Sequence, residues 1–273
     1  MKKFLYIIVL ILTTIGCTKT NPIQGNKVVI EAFLFLDEPV DDVRITSLLA
    51  YGGDDTIPQP INDAEIDIIW RGNAYRLQST NDSGYYHYPG NDLQVKEGEI
   101  YELKLNYNDF DISALTVCPP KPQNITSTKD TMKLIIVSLI DSFLTGGNIT
   151  PPPPDSVIVS WPNPNDEYYY VIAENIDSTA TNIYPDFIGG LLSFFFQSEP
   201  TTESSYTFFD SDFRKFGKHE IRVYKVNQEY VDLYTSINQD SRTQAEPLTN
   251  IINGLGVFTA VSYESIPLYV TRE

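Results

Sequence analysis

Apolar and polar residues alternate in short runs along most of this chain, the pattern of strands that bury one face and leave the other wet. Between residues 65 and 70, Ile66, Ile68 and Trp70 fall on one side; between 100 and 107, Tyr101, Leu103, Leu105 and Tyr107 do the same. Alternating or β-branched runs over 27–36, 44–49, 85–88 and 111–117 complete a first set of predicted strands. Turn chemistry separates them: Gly52-Gly53-Asp54-Asp55, Arg71-Gly72-Asn73 and Asn108-Asp109 supply residues that tolerate tight reversals. Short strands at close spacing predict an antiparallel sandwich over residues 27–120. Its end is set by Cys118-Pro119-Pro120-Lys121-Pro122, because proline has no N–H to give a sheet ladder.

A second mainly β domain is expected over 121–273. Strand-like runs occupy 133–140, 156–161, 167–175, 217–226 and 257–263, and 268–271 adds an edge. Pro162-Asn163-Pro164-Asn165 and Asn253-Gly254-Leu255-Gly256 read as turns. Four consecutive prolines, 151–154, favour an extended polyproline II segment and predict an exposed loop near 145–155. One helix is expected from 228 to about 239, capped by Asn227, with Tyr230, Tyr234 and Ile237 at helical spacing. The fold class is therefore mainly β: two β-sandwich-like domains, the second with one short helix.

The amino terminus departs from this pattern. Lys2 and Lys3 precede nine apolar residues from Phe4 to Leu12, and small and polar residues then lead to Gly16. That is the order of a secretory signal. The apolar run is about half the roughly 20 residues a membrane-spanning helix needs, so it predicts a targeting device over 1–16. Cys17 follows in Thr14-Ile15-Gly16-Cys17, where a bacterial lipoprotein would be cut and acylated, although Thr14 and Ile15 stand where Leu and then Ala or Ser are commonest. Residues 17–26, with Pro22 and Gly25, then read as a lipidated, flexible tether. Lipidation of Cys17 leaves Cys118, the other of two cysteines, without an intrachain partner, so the core must stand without disulfides.

Charge narrows the partners. The formal net charge is −17, and loss of Lys2 and Lys3 makes the mature body more negative still. Such a surface repels phosphate backbones and anionic headgroups, which argues against nucleic acid and against electrostatic membrane binding. Contact with a membrane has to come through lipid. Tyr 18 and Phe 14 against Met 2 again favour strands.

Several stretches together resemble a known family. Val28-Val29-Ile30-Glu31-Ala32, Asn62-Asp63-Ala64-Glu65-Ile66, Asp82-Ser83-Gly84-Tyr85-Tyr86, 95–103, Trp161-Pro162-Asn163-Pro164, Tyr168-Tyr169-Tyr170 and 253–258 look like successive signatures of the Bacteroidota lipoproteins catalogued as domain of unknown function 4249. Within it, the first domain is similar to carboxypeptidase-regulatory or transthyretin-like sandwiches. The resemblance implies an outer-membrane address, a TonB-dependent transporter as neighbour, and no catalytic residues.

Candidate chemistry is sparse. The sequence contains no His-Glu-x-x-His, Gly-x-Ser-x-Gly, phosphate-cradling glycine loop or Cys-x-x-Cys, so no catalytic residue, metal ligand or cofactor is assigned. His87 and His219 each lie in a strand without a second ligand at metal spacing, Cys118 suits packing, and Asp41-Asp42 and Asp54-Asp55 lack the alternation of a calcium loop. Ten aromatics fall between 184 and 216; Phe194, Phe195, Phe196, Phe208 and Phe209 are a candidate partner or ligand patch, with core packing as the competing reading. Thr56, Thr131, Ser156 and Ser178 each follow an Asp in triplets resembling the O-glycosylation sequon of Bacteroidota. The expectation is a lipid-anchored outer-membrane protein, its leaflet left open between surface and periplasmic side with the surface favoured, acting as a non-catalytic accessory or binding subunit beside a TonB-dependent barrel or another envelope complex. A structural or adhesive surface protein is the alternative, and a glycan or peptide hydrolase the least supported.

Overall fold

A computed structural model describes residues 28–48, 57–108, 110–134, 155–183, 196–237 and 248–272. In chain order the strands of the first half are β1 (Val28–Phe35), β2 (Asp42–Ser47), β3 (Glu65–Trp70), β4 (Asn73–Arg76), β5 (Gln78–Ser79), β6 (Tyr85–His87), β7 (Ile100–Tyr107) and β8 (Phe110–Val117). Then come β9 (Thr126–Ser127), β10 (Thr131–Leu134), β11 (Ser156–Ser160), β12 (Tyr168–Asn175), β13 (Phe196–Gln197), β14 (Ser205–Phe209), β15 (Gly217–Val226), helix α1 (Gln228–Ile237) and β16 (Leu255–Arg272). The expected strands and helix recur with shifts of a residue or two. The proline-rich loop and most of the 133–140 run lie outside the described residues.

One nine-stranded sheet, ordered β13-β12-β15-β16-β1-β2-β6-β5 with β10 also on β16, runs through both halves of the protein. Its axis is β16. The residues expected as two separate runs form a single 18-residue strand. Along one edge, β16 pairs in parallel first with β1, Val29 opposite Leu255 through Phe35 opposite Val261, and later with β10, Thr131 opposite Tyr269. Along the other edge its second half pairs antiparallel with β15, from Lys225 opposite Ser262 to Gly217 opposite Val270.

Both cores hang from one side of this strand. Successive strand side chains point to opposite faces, so Phe258 and Ala260 share a side with Leu268 and Val270. The first pair joins Ile30, Ala32 and Leu34 of β1 beneath a second sheet ordered β4-β3-β7-β8, whose Ile66, Ile68, Tyr101, Leu103 and Leu105 close the first core. The second pair joins Val171 and Ala173 of β12 and Ile221 and Val223 of β15, covered by a sheet ordered β14-β11-β9 that contributes Val157, Val159 and Phe208. On the reverse face, α1 lays Tyr230 against Tyr170, and Tyr170, Tyr224 and Val261 form a third, smaller cluster.

Asparagine side chains stitch the first sandwich shut. Strand β8 is the last of its sheet, so the carbonyls it turns away from β7 need partners. Asn253 donates to Asp111 O at 2.9 Å, the Ile252 N–H to Ser113 O at 2.8 Å, Asn250 to Leu115 O at 3.2 Å and Asn227 to Val117 O at 2.8 Å. Asn250 and Asn227 also donate to Phe258 O and Ala260 O on the bare edge of β16, and the Ala260 N–H donates to Thr116 Oγ1 at 3.0 Å. Asn227 does precede α1 as expected, but its amide is occupied by this seam rather than by a side-chain cap.

Two turns interlock beside β2. The Gly84 N–H donates to Asn62 Oδ1 at 3.0 Å, and the Tyr86 hydroxyl accepts from the Ala64 N–H while donating to Ile61 O. At Gly84 a Cβ would stand 2.2 Å from Ile45 O, and at Gly256, with φ +99°, it would stand 2.0 Å from Ile30 O. Only glycine lets these turns press against their neighbouring strands.

A first sandwich made of residues 27–120 therefore lacks a part of its core: Ile251, Phe258 and Ala260 come from the carboxy-terminal segment. We expect an isolated 27–120 fragment to melt without a cooperative transition by circular dichroism, while the chain from 27 to 273 melts cooperatively; a cooperative fragment would show β16 to be dispensable. Gly256→Ala should cost about 3 kcal/mol, strain and backbone collision together, in denaturant titrations. Gly98→Ala, also at positive φ (75°) but with open space around its Cβ, should cost only about 1 kcal/mol.

Candidate functional site

The described residues of the expected aromatic patch do not share one surface. Phe194 and Phe195 lie outside the described residues, as do Cys17 and Thr56. Phe208 is wholly buried, and Phe196 and Tyr206 pack against it with ring centroids 5.5 and 4.9 Å away. These rings wall the second core, a correction to their reading as a patch. Alternation along β14 turns only Phe209 outward, 44% exposed. Aromatic counting cannot separate the two classes, because Phe208 and Phe209 are neighbours on opposite faces of one strand.

Among the candidate glycan acceptors, Thr131 sits half-buried in β10 and donates to Asp130, and Ser156 is half-buried at the start of β11. Ser178 is exposed. It belongs to a turn in which Asp177 accepts from both the N–H and the hydroxyl of Thr179, at 2.9 and 2.7 Å, and these bonds hold the Asp177 carboxyl below its ordinary range.

The two histidines stand apart. His219 is buried under Phe213, and desolvation lowers its pKa so that the neutral ring is favoured. His87 belongs to β6, and its Nδ1 is buried without a hydrogen-bond partner. Cys118 is fully buried beside Pro119, and burial pushes its thiol up to about 12, which makes it a packing residue at neutral pH. Among the described residues no group of three or more His, Cys, Asp or Glu is placed to hold a metal ion.

The outward face of the β4-β3-β7-β8 sheet carries a groove of about 370 Å³ with charged walls, running over the strand segments around Leu105 and Ile112, whose side chains face the core. Strand register builds it. Asp67 lies opposite Arg76 on one side and Lys104 on the other, and Glu65 lies opposite Asn106, itself opposite Asp111. Arg76 grips Asp67 with two parallel hydrogen bonds, 2.7 and 3.0 Å, and reaches Glu65 at 3.1 Å. Lys104 pairs with Glu102 at 3.2 Å and Asn106 donates to Asp111 at 2.8 Å. The groove is net negative, and its charged side chains are paired with one another. Sequence reading missed it because its walls come from separated strands that only the register aligns.

The reverse face of the long sheet holds a second ordered array. Tyr170, Tyr224 and Tyr263 fall opposite one another on β12, β15 and β16, and Tyr170 and Tyr224 stack at 4.7 Å with planes 2° apart. Tyr263 donates to Glu38 at 2.9 Å, and Arg222 lies over its ring while pairing with Glu174 and Glu220. Burial raises the Tyr170 pKa far above its ordinary value. This row fastens α1 to the sheet.

No curated protein matches the sequence. Among solved structures, the chain is similar to domains A168–A170 of titin at 12% identity over 90% of this chain, with a TM-score of 0.23, and spans 66% of that segment. It is also similar to a two-domain fibronectin type III segment of chicken tenascin at 10% identity, covering 73% of this chain and 89% of that one, with a TM-score of 0.20. The family model described as Domain of unknown function (DUF4249) matches residues 17–266, and with most of the chain covered, the chain belongs to that family.

Proposed function

We propose that this chain is an outer-membrane-anchored lipoprotein, working as a non-catalytic accessory or binding subunit beside a TonB-dependent transporter or another envelope complex. The observation that carries the reading is that the family match begins at residue 17, the cysteine behind the signal-like leader, and not at Met1. The described residues begin at Val28 with β1, and the ten residues between Cys17 and Val28, Thr18 to Lys27, are mostly polar. A groove of mutually paired charges suits recognition, and exposed Ser178 is the acceptor best placed for a glycan.

Metabolic labelling with an alkyne fatty acid tests the anchor. The wild-type chain should carry label and fractionate with the outer membrane, and Cys17→Ala should lose the label and be released. Retention of label by the variant would sink the lipoprotein reading. Purification in mild detergent from the native host should then recover a barrel protein with the wild type; recovery of the chain alone would favour the structural or adhesive alternative.

A further inference from the structure

We propose that Ile57, Phe110 and Ile252 form a bilayer-contacting rim around the point where the chain leaves the body toward Cys17, dipping into the interface of a zwitterionic phospholipid surface. The proposal rests on the lipid-anchor reading. Three segments far apart in sequence converge at that point. Val28, the first residue of β1, lies opposite Ser47, whose N–H donates to Gln59 O at 2.8 Å, and Gln59 in turn donates to Ile57 O at 3.2 Å. On the other flank Gly254 is pressed so closely that a Cβ there would meet Val28 O at 3.4 Å and Ile112 at 3.3 Å. Asn253 bonds Asp111, next to Phe110, and Ile252 bridges to Ser113.

What these segments present is apolar. Ile57 and Ile252, 69% and 62% exposed, are the two most exposed large hydrophobic residues among those described, and Phe110 is 51% exposed. Such residues scattered singly mean little, but here they crown the end from which the tether leaves. Ten residues separate Cys17 from Val28, and even fully extended they reach at most about 35 Å. A lipid at Cys17 therefore keeps this end within about 35 Å of the bilayer, near enough for the rim to reach it. Electrostatics cannot supply the contact, since the chain is strongly acidic and Asp111 follows Phe110 directly. Apolar insertion at headgroup depth can. The opposite end is held away: β16 starts beside the rim and runs 18 residues, about 60 Å, into the second sandwich.

The test supplies the anchor chemically, so that it is independent of native lipidation. The mature chain is coupled through the Cys17 thiol to a maleimide lipid in phosphatidylcholine vesicles; Cys118, fully buried, stays unreacted. The fluorescence that Phe110→Trp adds to that of the native, buried Trp70 and Trp161 should be largely lost when the vesicles contain phosphatidylcholine brominated high in the acyl chains. Phe209→Trp, on the second sandwich, should be unaffected, and adding phosphatidylglycerol should weaken the quenching at 110. Absence of quenching at 110, or equal quenching at both positions, overturns the proposal. So does an unquenched F110W chain whose self-association in sedimentation disappears with Ile252→Ser, which would assign the rim to a second copy. Failure of fatty-acid labelling at Cys17 in the host would strike the anchor reading alone and leave the vesicle result standing.

Discussion

The parallel pairing of β1 with the first half of β16 is the contact that closes the first sandwich and joins it to the second. Without it, Ile30, Ala32 and Leu34 lose Phe258 and Ala260, and the nine-stranded sheet separates into two pieces. Because the same strand continues into the second core through Leu268 and Val270, the two halves share a rigid axis instead of a hinge. The tyrosine row and α1 brace the junction from the reverse face, where Val261 and Tyr224 meet.

That pairing works only if the exposed edges near it are satisfied. The four outward carbonyls of β8 belong to exposed or half-buried residues, so each bond made to them adds about 1 kcal/mol rather than relieving a burial penalty, and together they tie β8 to the carboxy-terminal segment. Asn227, Asn250 and Asn253 meet three of them, and the Ile252 N–H meets the fourth. A polar seam of this kind also specifies register, since a slip of β8 by one residue would present N–H groups where the amide donors expect oxygen.

Most strands were legible because each needs only its own alternation. Ile66, Ile68 and Trp70 are buried as their spacing predicts, and Arg71 and Gly72 take the positive φ values, 52° and 79°, that their turn chemistry suggests. The length of β16 was not legible, because Pro267 interrupts the pattern. Tyr269 turns its N–H toward the β10 edge, so Pro267, two residues earlier, turns its missing donor to that same edge in the gap after β1 ends and before β10 begins. The seam was invisible for a different reason. Asn227 reads locally as a helix cap, and nothing near it in sequence reveals Val117 and Ala260 as its partners. Likewise the groove, and the division of Phe208 from Phe209, depend on which strands become neighbours.

Placing the first strand against the last has a temporal consequence. As the chain is made from its amino terminus, β1 finds β2 at once, but the strand on its other side, β16, is made only after β2 to β15. Closing so long a loop is slow, and contacts of this range lower folding rates. The body thus has no stable partial fold centred on β1 while it is incomplete, and a prematurely terminated product has nothing to lock it shut. Until β16 is made, one edge of β1 stays unpaired and one wall of the first core stays open, so the unfinished sandwich is the state a protease meets most easily.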